Sequence, residues 1–329
     1  MIQARGLARS FRTRRGTVEA VRGVDIDVAH GELVGFLGPN GAGKTTTLRM
    51  LTTLLAPTAG TATVAGCDLL ADPVGVRRRI GYVGQAGGAG PDCPVLAELV
   101  LQGRLYGLPP GHARARGNEL LEQLDLAGTE RRLAGTLSGG QRRRLDIAMG
   151  LMHLPGLLFM DEPTTGLDPQ SRANLWQHIR ALRAEHGMTL FLTTHYLDEA
   201  DALCDRILVI DFGCIVAEGS PDELKRTVAG DTVALGTDAP GRTAQLAQCL
   251  PGATGLAVDG TTVRFRVPQG STALPVLLRE LDAAGIALES VEVHRPTLDD
   301  VFLTLTGRSL RDADSGAPGA TRDRTPVTI

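Results

Sequence analysis

The pattern of apolar and polar positions along the first 220 residues alternates short apolar runs with helical segments. Residues 21–28 alternate apolar and polar side chains, which is typical of an edge strand, and residues 33–37 are a nearly continuous apolar run, as in a buried parallel strand. A helix is predicted at 171–185. Three further strands are predicted, at 157–160, 189–192 and 206–210. This alternation predicts an α/β fold with a parallel sheet and crossover helices.

A second pattern interrupts this alternation. Gly, Ala and Pro are concentrated from 86 to 94, and apolar residues then recur at helical spacing, as at Leu96 and Leu99. Because helical spacing replaces strand signals here, we predict a helical subdomain at about 86–155, inserted in the α/β domain.

Beyond Gly219 strands and helices are predicted in a different order. In chain order these are strand 231–235, helix 242–250, strands 253–259 and 262–267, helix 271–284 and strand 287–294. The βαββαβ order is the split pattern of ferredoxin-like modules, and Asp259-Gly260 is a hairpin turn signal between the two middle strands. We therefore expect an α/β domain at 1–220, an α+β domain at 221–307 and a disordered tail at 308–329.

Composition and charge narrow the classes of function. The 329 residues are 43% hydrophobic, which is enough for a sizeable core and about two domains. A net charge of −3 gives no overall basic field, which disfavours nucleic acid as a partner. The five cysteines form an odd set without a CxxC pair, so we expect reduced thiols. No apolar run approaches the roughly 18 residues of a membrane span, and we expect the chain to reach a membrane only through a partner.

Candidate phosphate chemistry directly follows the apolar run at 33–37. The loop there is Gly38, Pro39, Asn40, Gly41, Ala42, Gly43, Lys44, Thr45 and Thr46. Its glycines let successive backbone N–H groups turn inward and cradle phosphate oxygens, and the helix predicted at 45–55 adds its positive N-terminus. Lys44 is placed to reach the β- and γ-phosphates, and Thr45 to ligate magnesium. The alternative is a Gly-rich turn with a chance lysine, which the flanking strand and helix disfavour.

Two carboxylates end the strand predicted at 157–160. Asp161 and Glu162 would then lie at the carboxyl edge of the sheet, beside the phosphate loop. Asp161 suits a magnesium role, direct or through water, and Glu162 is suited to polarise the attacking water. An exposed strand end also accommodates an Asp-Glu pair, and the phosphate loop upstream is what favours the catalytic interpretation.

A second candidate phosphate site lies downstream of that loop. It is formed by the signature segment, which is Leu137, Ser138, Gly139, Gly140 and Gln141. A strongly helical stretch follows at 142–152, so Ser138 is placed as an N-cap and the glycines allow close backbone approach. The bare N–H groups of a helix N-terminus can bind an anion. A capped helix without a ligand is equally compatible with these residues.

Four segments together, at 38–46, 137–141, 160–168 and 193–195, resemble the nucleotide-binding subunit of ABC transporters in motif and in order. The resemblance covers about residues 1–220. It implies a P-loop NTPase fold with a RecA-like core, an ABC β-subdomain and a helical insert. It also implies that the chain binds ATP and Mg²⁺ and forms a homodimer, in which the signature segment of one chain contacts the ATP of the other.

The same resemblance implies roles for four further residues. Phe11 is similar to the aromatic residue that stacks on adenine, and Gln85 to the glutamine that contacts magnesium and the attacking water. His195 is similar to the switch histidine that hydrogen-bonds the γ-phosphate, and Asp168 to an acidic residue of the dimer interface. Structural alternatives exist, since Phe11 and His195 also suit packing and Asp168 suits a turn. Gly84 stands where the family usually has proline, which leaves the geometry around Gln85 open.

Three segments look like the daunorubicin-resistance drug-export branch of this family, namely 100–108, 141–146 and 296–307. That branch implies an efflux pump in which this subunit works at the cytoplasmic face of the cell membrane on a separate integral membrane permease. The alternative function is a soluble ABC-type ATPase that acts on ribosomes or DNA. Residues 296–307 also fit a helix packed on the small C-terminal sheet. The transported substrate stays open, because in such pumps the membrane subunit forms its pathway.

Overall fold

The computed structural model of the chain describes residues 1–14, 16–227 and 230–307. The chain divides into two compact units, one at Met1–Ser220 and a second that begins at Pro221. The tail predicted at 308–329 lies outside the described residues. Within these described ranges, no helix combines the length and the apolar character that crossing a membrane requires.

The first unit is a mixed α/β structure. Its strands are β1 (Ile2–Thr13), β2 (Gly16–Val28), β3 (Leu33–Leu37), β4 (Ala59–Val64), β5 (Cys67–Asp68), β6 (Ile80–Val83), β7 (Leu157–Asp161), β8 (Thr189–Thr194), β9 (Arg206–Asp211) and β10 (Cys214–Gly219). Its α-helices are α1 (Lys44–Leu51), α2 (Pro73–Arg79), α3 (Val95–Leu105), α4 (Pro110–Gln123), α5 (Gly139–Leu151), α6 (Pro169–His186) and α7 (Leu197–Leu203).

The central sheet of this unit has the strand order β10-β9-β3-β8-β7-β6. All its pairs are parallel except the edge pair of β9 and β10. Every residue of β3, β7 and β8 is buried, as their apolar runs predict for strands covered on both faces. The parallel α/β arrangement predicted from the sequence is therefore confirmed, and the carboxyl ends of β3, β8 and β7 lie side by side.

A smaller antiparallel sheet, in the order β2-β1-β4-β5, packs on the same core. Ile2 and Leu7 of β1 and Val64 of β4 are fully buried in one cluster with Phe36 and Phe159 of the central sheet. The strand predicted at 21–28 is present as β2, at the edge of this sheet, but it begins earlier, at Gly16.

The helix predicted at 45–55 is shorter than expected. It runs from Lys44 to Leu51, and Thr53 has a φ of 62° in the left-handed region, which ends the helix. The prediction was wrong at this end because the apolar residues Leu54 and Leu55 continue the helical pattern after the backbone has turned. The helical insert is present as α3, α4 and α5.

The second unit contains α8 (Pro221–Thr227), β11 (Asp231–Thr237), α9 (Pro240–Gln248), β12 (Thr254–Asp259), β13 (Thr262–Val267), α10 (Gly270–Ala283), β14 (Leu288–His294) and α11 (Leu298–Thr306). From β11 to β14 the elements follow the predicted βαββαβ order, in an antiparallel sheet ordered β12-β13-β11-β14. Its core includes Val233, Phe265 and Leu277. Helix α11 buries Val301 and Phe302 and packs against α8.

Candidate functional site

Three loops meet at the carboxyl edge of the central sheet. β3 leads into the phosphate loop, β7 into Asp161 and Glu162, and β8 into His195. Because β8 pairs with both β3 and β7, its last residues lie between the other two strand ends. The sheet order therefore brings together side chains that are far apart in the sequence.

The phosphate loop requires glycine at two positions with left-handed backbone. Gly41 has a φ of 81° and Gly43 a φ of 110°, a region that L side chains rarely adopt. A Cβ on Gly43 would also lie 2.6 Å from the carbonyl oxygen of Ala20. Helix α1 begins directly after Gly43 without a side-chain cap, which leaves its first N–H groups facing the loop. This is the arrangement that binds phosphate at a helix N-terminus.

Lys44 is buried inside this loop, with 4% of its surface exposed. Its Nζ donates to the carbonyl oxygens of Gly38 at 2.7 Å and Pro39 at 3.0 Å, and lies 3.5 Å from Oε1 of Glu162. A buried ammonium is costly unless it is paired and hydrogen-bonded. These contacts hold the ammonium of Lys44 between the phosphate loop and Glu162, the candidate catalytic carboxylate.

Asp161 forms an oxygen cluster with two threonines. Its Oδ1 accepts hydrogen bonds from the hydroxyls of Thr45 at 3.1 Å and Thr193 at 2.7 Å. Carboxylate and hydroxyl oxygens are the hard donors that Mg²⁺ prefers, so the residues present fit that ion. Thr193 was not predicted as a site residue by itself, although it lies in the segment 193–195.

The backbone of Glu162 is held in an unusual conformation. Its φ is 46°, in the left-handed region, although it is not a glycine. Its N–H donates to both the carbonyl oxygen and the hydroxyl of Thr193, at 3.1 Å and 3.0 Å. Although Asp161 and Glu162 are neighbours in the sequence, their side-chain oxygens accept from different donors.

The Glu162 carboxylate is where several predicted residues converge. Its Oε2 lies 3.3 Å from Nδ1 of His195 and accepts hydrogen bonds from Nε2 of Gln85 and the hydroxyl of Thr165, both at 3.2 Å. Burial opposes ionisation, but the contact with His195 and the charge of Lys44 outweigh it and lower the pKa of Glu162. Glu162 is thus an ionised acceptor whose two oxygens face two hydrogen-bond donors, the His195 ring and one ammonium.

The signature segment is a capped helix N-terminus, as predicted. The Ser138 hydroxyl accepts from the N–H of Gln141 at 3.2 Å, and the Gln141 side chain accepts from the N–H of Ser138 at 3.1 Å. This reciprocal pair is a capping box at the start of α5. Its hydrogen bonds stay within one turn of the helix, in contrast to the cluster around Glu162.

The contacts of Asp168 and Phe11 are with residues close by in the sequence. Asp168 is the N-cap of α6, where it accepts from the N–H and the hydroxyl of Ser171 at 2.9 Å and 2.6 Å, and these bonds lower its pKa. Phe11 is half-buried on β1, and the guanidinium carbon of Arg9 lies 4.8 Å from its ring centroid. The structure brings neither residue into the cluster around Glu162.

Sequence reasoning missed two buried charged residues near the site. Arg143 on α5 and Glu199 on α7 are 8% and 0% exposed. Glu199 accepts from the indole N–H of Trp176 at 3.3 Å, and burial raises its pKa. A signal for Arg143 was available, since it lies four residues before the apolar Ile147, on the buried face of the predicted helix.

Comparison with known proteins places these observations in a family. Residues 21–165 match the ABC transporter family, and residues 219–306 match the C-terminal domain of DrrA1-3-like ATP-binding proteins. The chain is 46% identical over 300 residues to the daunorubicin resistance ATP-binding protein DrrA3 of Streptomyces coeruleorubidus, covering 91% of this chain and 94% of the relative. It is 44% identical to the doxorubicin resistance ATP-binding protein DrrA of Mycobacterium tuberculosis, covering 89% and 90%.

A solved structure shows a similar fold over two thirds of the chain. It is a dimeric ATP-binding cassette in a post-hydrolysis state bound to ADP and phosphate, and its TM-score is 0.62 at 25% identity. The match covers 67% of this chain and 98% of the cassette. The P-loop NTPase fold predicted from the sequence is confirmed by this likeness.

Proposed function

The chain belongs to the ABC transporter family of ATP-binding proteins, and from this membership we propose that it powers drug or antibiotic export through a separate membrane permease. As an ABC ATPase it binds ATP and couples its hydrolysis to transport. The observation that carries the assignment of the catalytic site is the convergence of Lys44, Gln85 and His195 on the Glu162 carboxylate.

The proposed roles follow from these contacts. The N–H groups of the phosphate loop, together with Lys44, bind the β- and γ-phosphates. Thr45, Asp161 and Gln85 would hold Mg²⁺, which would supply neutralisation of the phosphate charge.

Glu162 is proposed to accept the proton of the attacking water. Its lowered pKa keeps it ionised, as a proton acceptor requires. His195 hydrogen-bonds the γ-phosphate beside Glu162, and Phe11 stacks on the adenine. In phosphoryl transfer such positioning and charge stabilisation supply most of the catalysis.

A complete site is proposed to need two copies of the chain. The capping box at the N-terminus of α5 engages the N–H groups of Ser138 and Gln141, and those of Gly139 and Gly140 would contact the ATP held by the partner's phosphate loop. Asp168 would lie in the interface between the two copies. In a twofold dimer the same surfaces are used reciprocally, so two equal composite sites form.

This arrangement predicts complementation between two inactive variants. Lys44→Ala removes a phosphate-loop contact, and Gly139→Asp places a negative charge on the signature segment. An added Cβ at Gly139 meets only Leu167, at 3.9 Å, and an acid in the first turn suits a helix, so the variant should fold. Each homodimer should be inactive, whereas a mixture should recover about a quarter of wild-type ATPase activity, because mixed dimers keep one intact site.

The matched control mixes Lys44→Ala with a chain that carries both substitutions, which leaves no intact phosphate loop. Steady-state phosphate release measures both mixtures. Recovery in the first mixture but not in the second supports the composite site. Equal activity in the two mixtures would show that each chain forms its site alone.

The export role is supported by the names of the relatives and by an apolar surface on α3. Leu101 and Leu105 are 52% and 73% exposed, and this helix belongs to the insert that would dock onto the permease at the cytoplasmic face of the membrane.

Leu105→Glu should prevent membrane co-fractionation in cells that express the permease, while basal ATPase activity is kept. Leu70→Glu, at a residue 58% exposed outside the insert, is the control and should co-fractionate normally. If Leu105→Glu still co-fractionates, the docking surface lies elsewhere.

A further inference from the structure

Helix α5 carries a buried ion pair two and five residues after the end of the signature segment. Arg143 and Asp146 are 8% and 7% exposed, and Nη1 of Arg143 lies 3.9 Å from Oδ2 of Asp146. Burying two charges is costly, and such a pair by itself is weak evidence for stabilisation. The hydrogen bonds that these side chains make are therefore informative about their role.

The Arg143 guanidinium donates to four backbone carbonyl oxygens. Three belong to the segment around the proposed proton acceptor, namely Asp161 at 3.1 Å, Glu162 at 3.3 Å and Pro163 at 2.7 Å. The fourth is Gly84 at 2.6 Å, directly before Gln85. A planar guanidinium with a rigid fork of donors can fix two backbone segments relative to each other in a way that a lysine cannot.

Asp146 holds the backbone on the other side of Gln85. Its Oδ1 accepts from the N–H of Gly88 at 2.9 Å. Gly87 has a φ of 72°, and a Cβ there would lie 3.1 Å from Oδ2 of Asp146, so the segment closely approaches this carboxylate. The ion pair thus contacts the chain both before and after Gln85.

We propose that Arg143 and Asp146 form a positioning clamp that fixes Gln85 and Glu162 relative to the signature helix. Neither residue is catalytic, because both act on backbone that carries the reacting groups. The proposal rests on the proposed roles of Gln85, Glu162 and the signature segment. As a consequence, α5 links the two ATP sites of the dimer. The helix that presents the signature segment to the partner's ATP also holds the proton acceptor of its own site.

The test compares Arg143→Gln and the double variant Arg143→Met with Asp146→Leu against the wild type. The double variant replaces the pair by apolar side chains of similar volume, a change that often preserves folding. Arg142→Gln is the matched control, because Arg142 is an exposed neighbour on the same helix that donates to Gly135. The measurements are kcat and KM for ATP hydrolysis, the Kd for a fluorescent ATP analogue, and amide hydrogen exchange of peptide 84–92.

Misplaced catalytic groups lower turnover more than binding, so kcat should fall about tenfold or more in both variants, while the Kd changes by less than about twofold. Hydrogen exchange of peptide 84–92 should accelerate in the double variant, since Gly88 loses its acceptor. The Arg142→Gln control should behave as wild type. A folded double variant with wild-type kcat, or a change confined to KM, would overturn the clamp.

Lys44→Ala, measured in parallel, separates this proposal from the proposed catalytic site. If Lys44→Ala is inactive and the clamp variants turn over normally, the clamp is rejected and the catalytic site stands. If Lys44→Ala retains wild-type phosphate release, the site itself is wrong and the clamp falls with it.

Discussion

Glu162→Gln should trap the chain as an ATP-bound dimer with turnover lowered by roughly 10² to 10⁴, the usual contribution of a general base. The amide keeps the size of the side chain and an oxygen that can accept from Gln85 and Thr165, but it cannot take up a proton. ATP binding and dimer closure should therefore persist while hydrolysis stops. Phosphate release, together with size-exclusion chromatography in ATP, measures both effects.

Glu185→Gln is the matched control, because Glu185 is an exposed glutamate on α6 that accepts from Gln123. It should turn over ATP as the wild type does and should not accumulate as a dimer. Wild-type turnover in Glu162→Gln would show that Glu162 is not the proton acceptor. Turnover lost together with ATP binding would instead indicate a role in binding.

The difference in stability between the wild type and Glu162→Gln should depend on pH, and the pKa of Glu162 defines the sign of that dependence. The pKa of Glu162 is lowered from its ordinary value of 4.5 in the folded chain, so folding favours the ionised form. Its contribution to the free energy of unfolding is complete above that ordinary value and is lost as pH falls through the lowered pKa. The stability difference between wild type and Glu162→Gln should therefore shrink only in acid below the ordinary value.

Lys44→Ala should abolish ATP binding or turnover, with a loss of roughly 10² or more, as for other removed charge-stabilising donors. The ammonium contacts the loop carbonyls and lies 3.5 Å from Glu162, so its loss removes the cation that faces both phosphate and proton acceptor. Removing this charge should also raise the pKa of Glu162, since Lys44 is one of the groups that lower it. Nucleotide binding by equilibrium dialysis and phosphate release measure the two losses.

The sequence offers a convenient control, because Lys225 is its one other lysine. Lys225→Ala on α8, 3.9 Å from Asp222, should leave ATP binding and turnover unchanged. Lys44→Met keeps the apolar stem packed and tests whether the loss comes from the charge. Normal turnover in Lys44→Met would remove Lys44 from the catalytic machinery.

The elements that the sequence predicted best are those whose pattern follows from burial. β3 is apolar at four of five positions and buried throughout, and its bounds were predicted without error. β1 was missed because its inward residues Ile2, Ala4 and Leu7 do not keep a strict alternation, and its pairing with β2 contains register shifts. A pattern of period two cannot reveal a strand whose register is interrupted by bulges.

The site residues also divide into those whose role the sequence could predict and those whose role it could not. The chemistry of Lys44, Asp161 and Glu162 could be predicted because residue type and position after a buried strand define it. The contacts of Gln85 and His195 with Glu162 depend on which strands are neighbours, which only the three-dimensional sheet order decides. Arg143 could not be predicted in its role, because its partners are backbone carbonyls that any residue would supply.

The left-handed backbone at Glu162 implies a conflict between backbone strain and side-chain contacts at this position. An L residue in that region costs about 1–2 kcal/mol relative to a right-handed conformation, whereas glycine adopts it readily. Backbone conformation alone would therefore favour glycine at residue 162, whereas the buried ammonium of Lys44, 3.5 Å from Oε1 of Glu162, favours the carboxylate. The strained turn is held in place by two hydrogen bonds, one from the N–H of Glu162 to the Thr193 hydroxyl and one from the Arg143 guanidinium to the carbonyl oxygen of Glu162. Glu162→Gly should consequently be inactive without a gain in thermal stability, because the relieved strain is offset by the lost partner of the buried Lys44 ammonium.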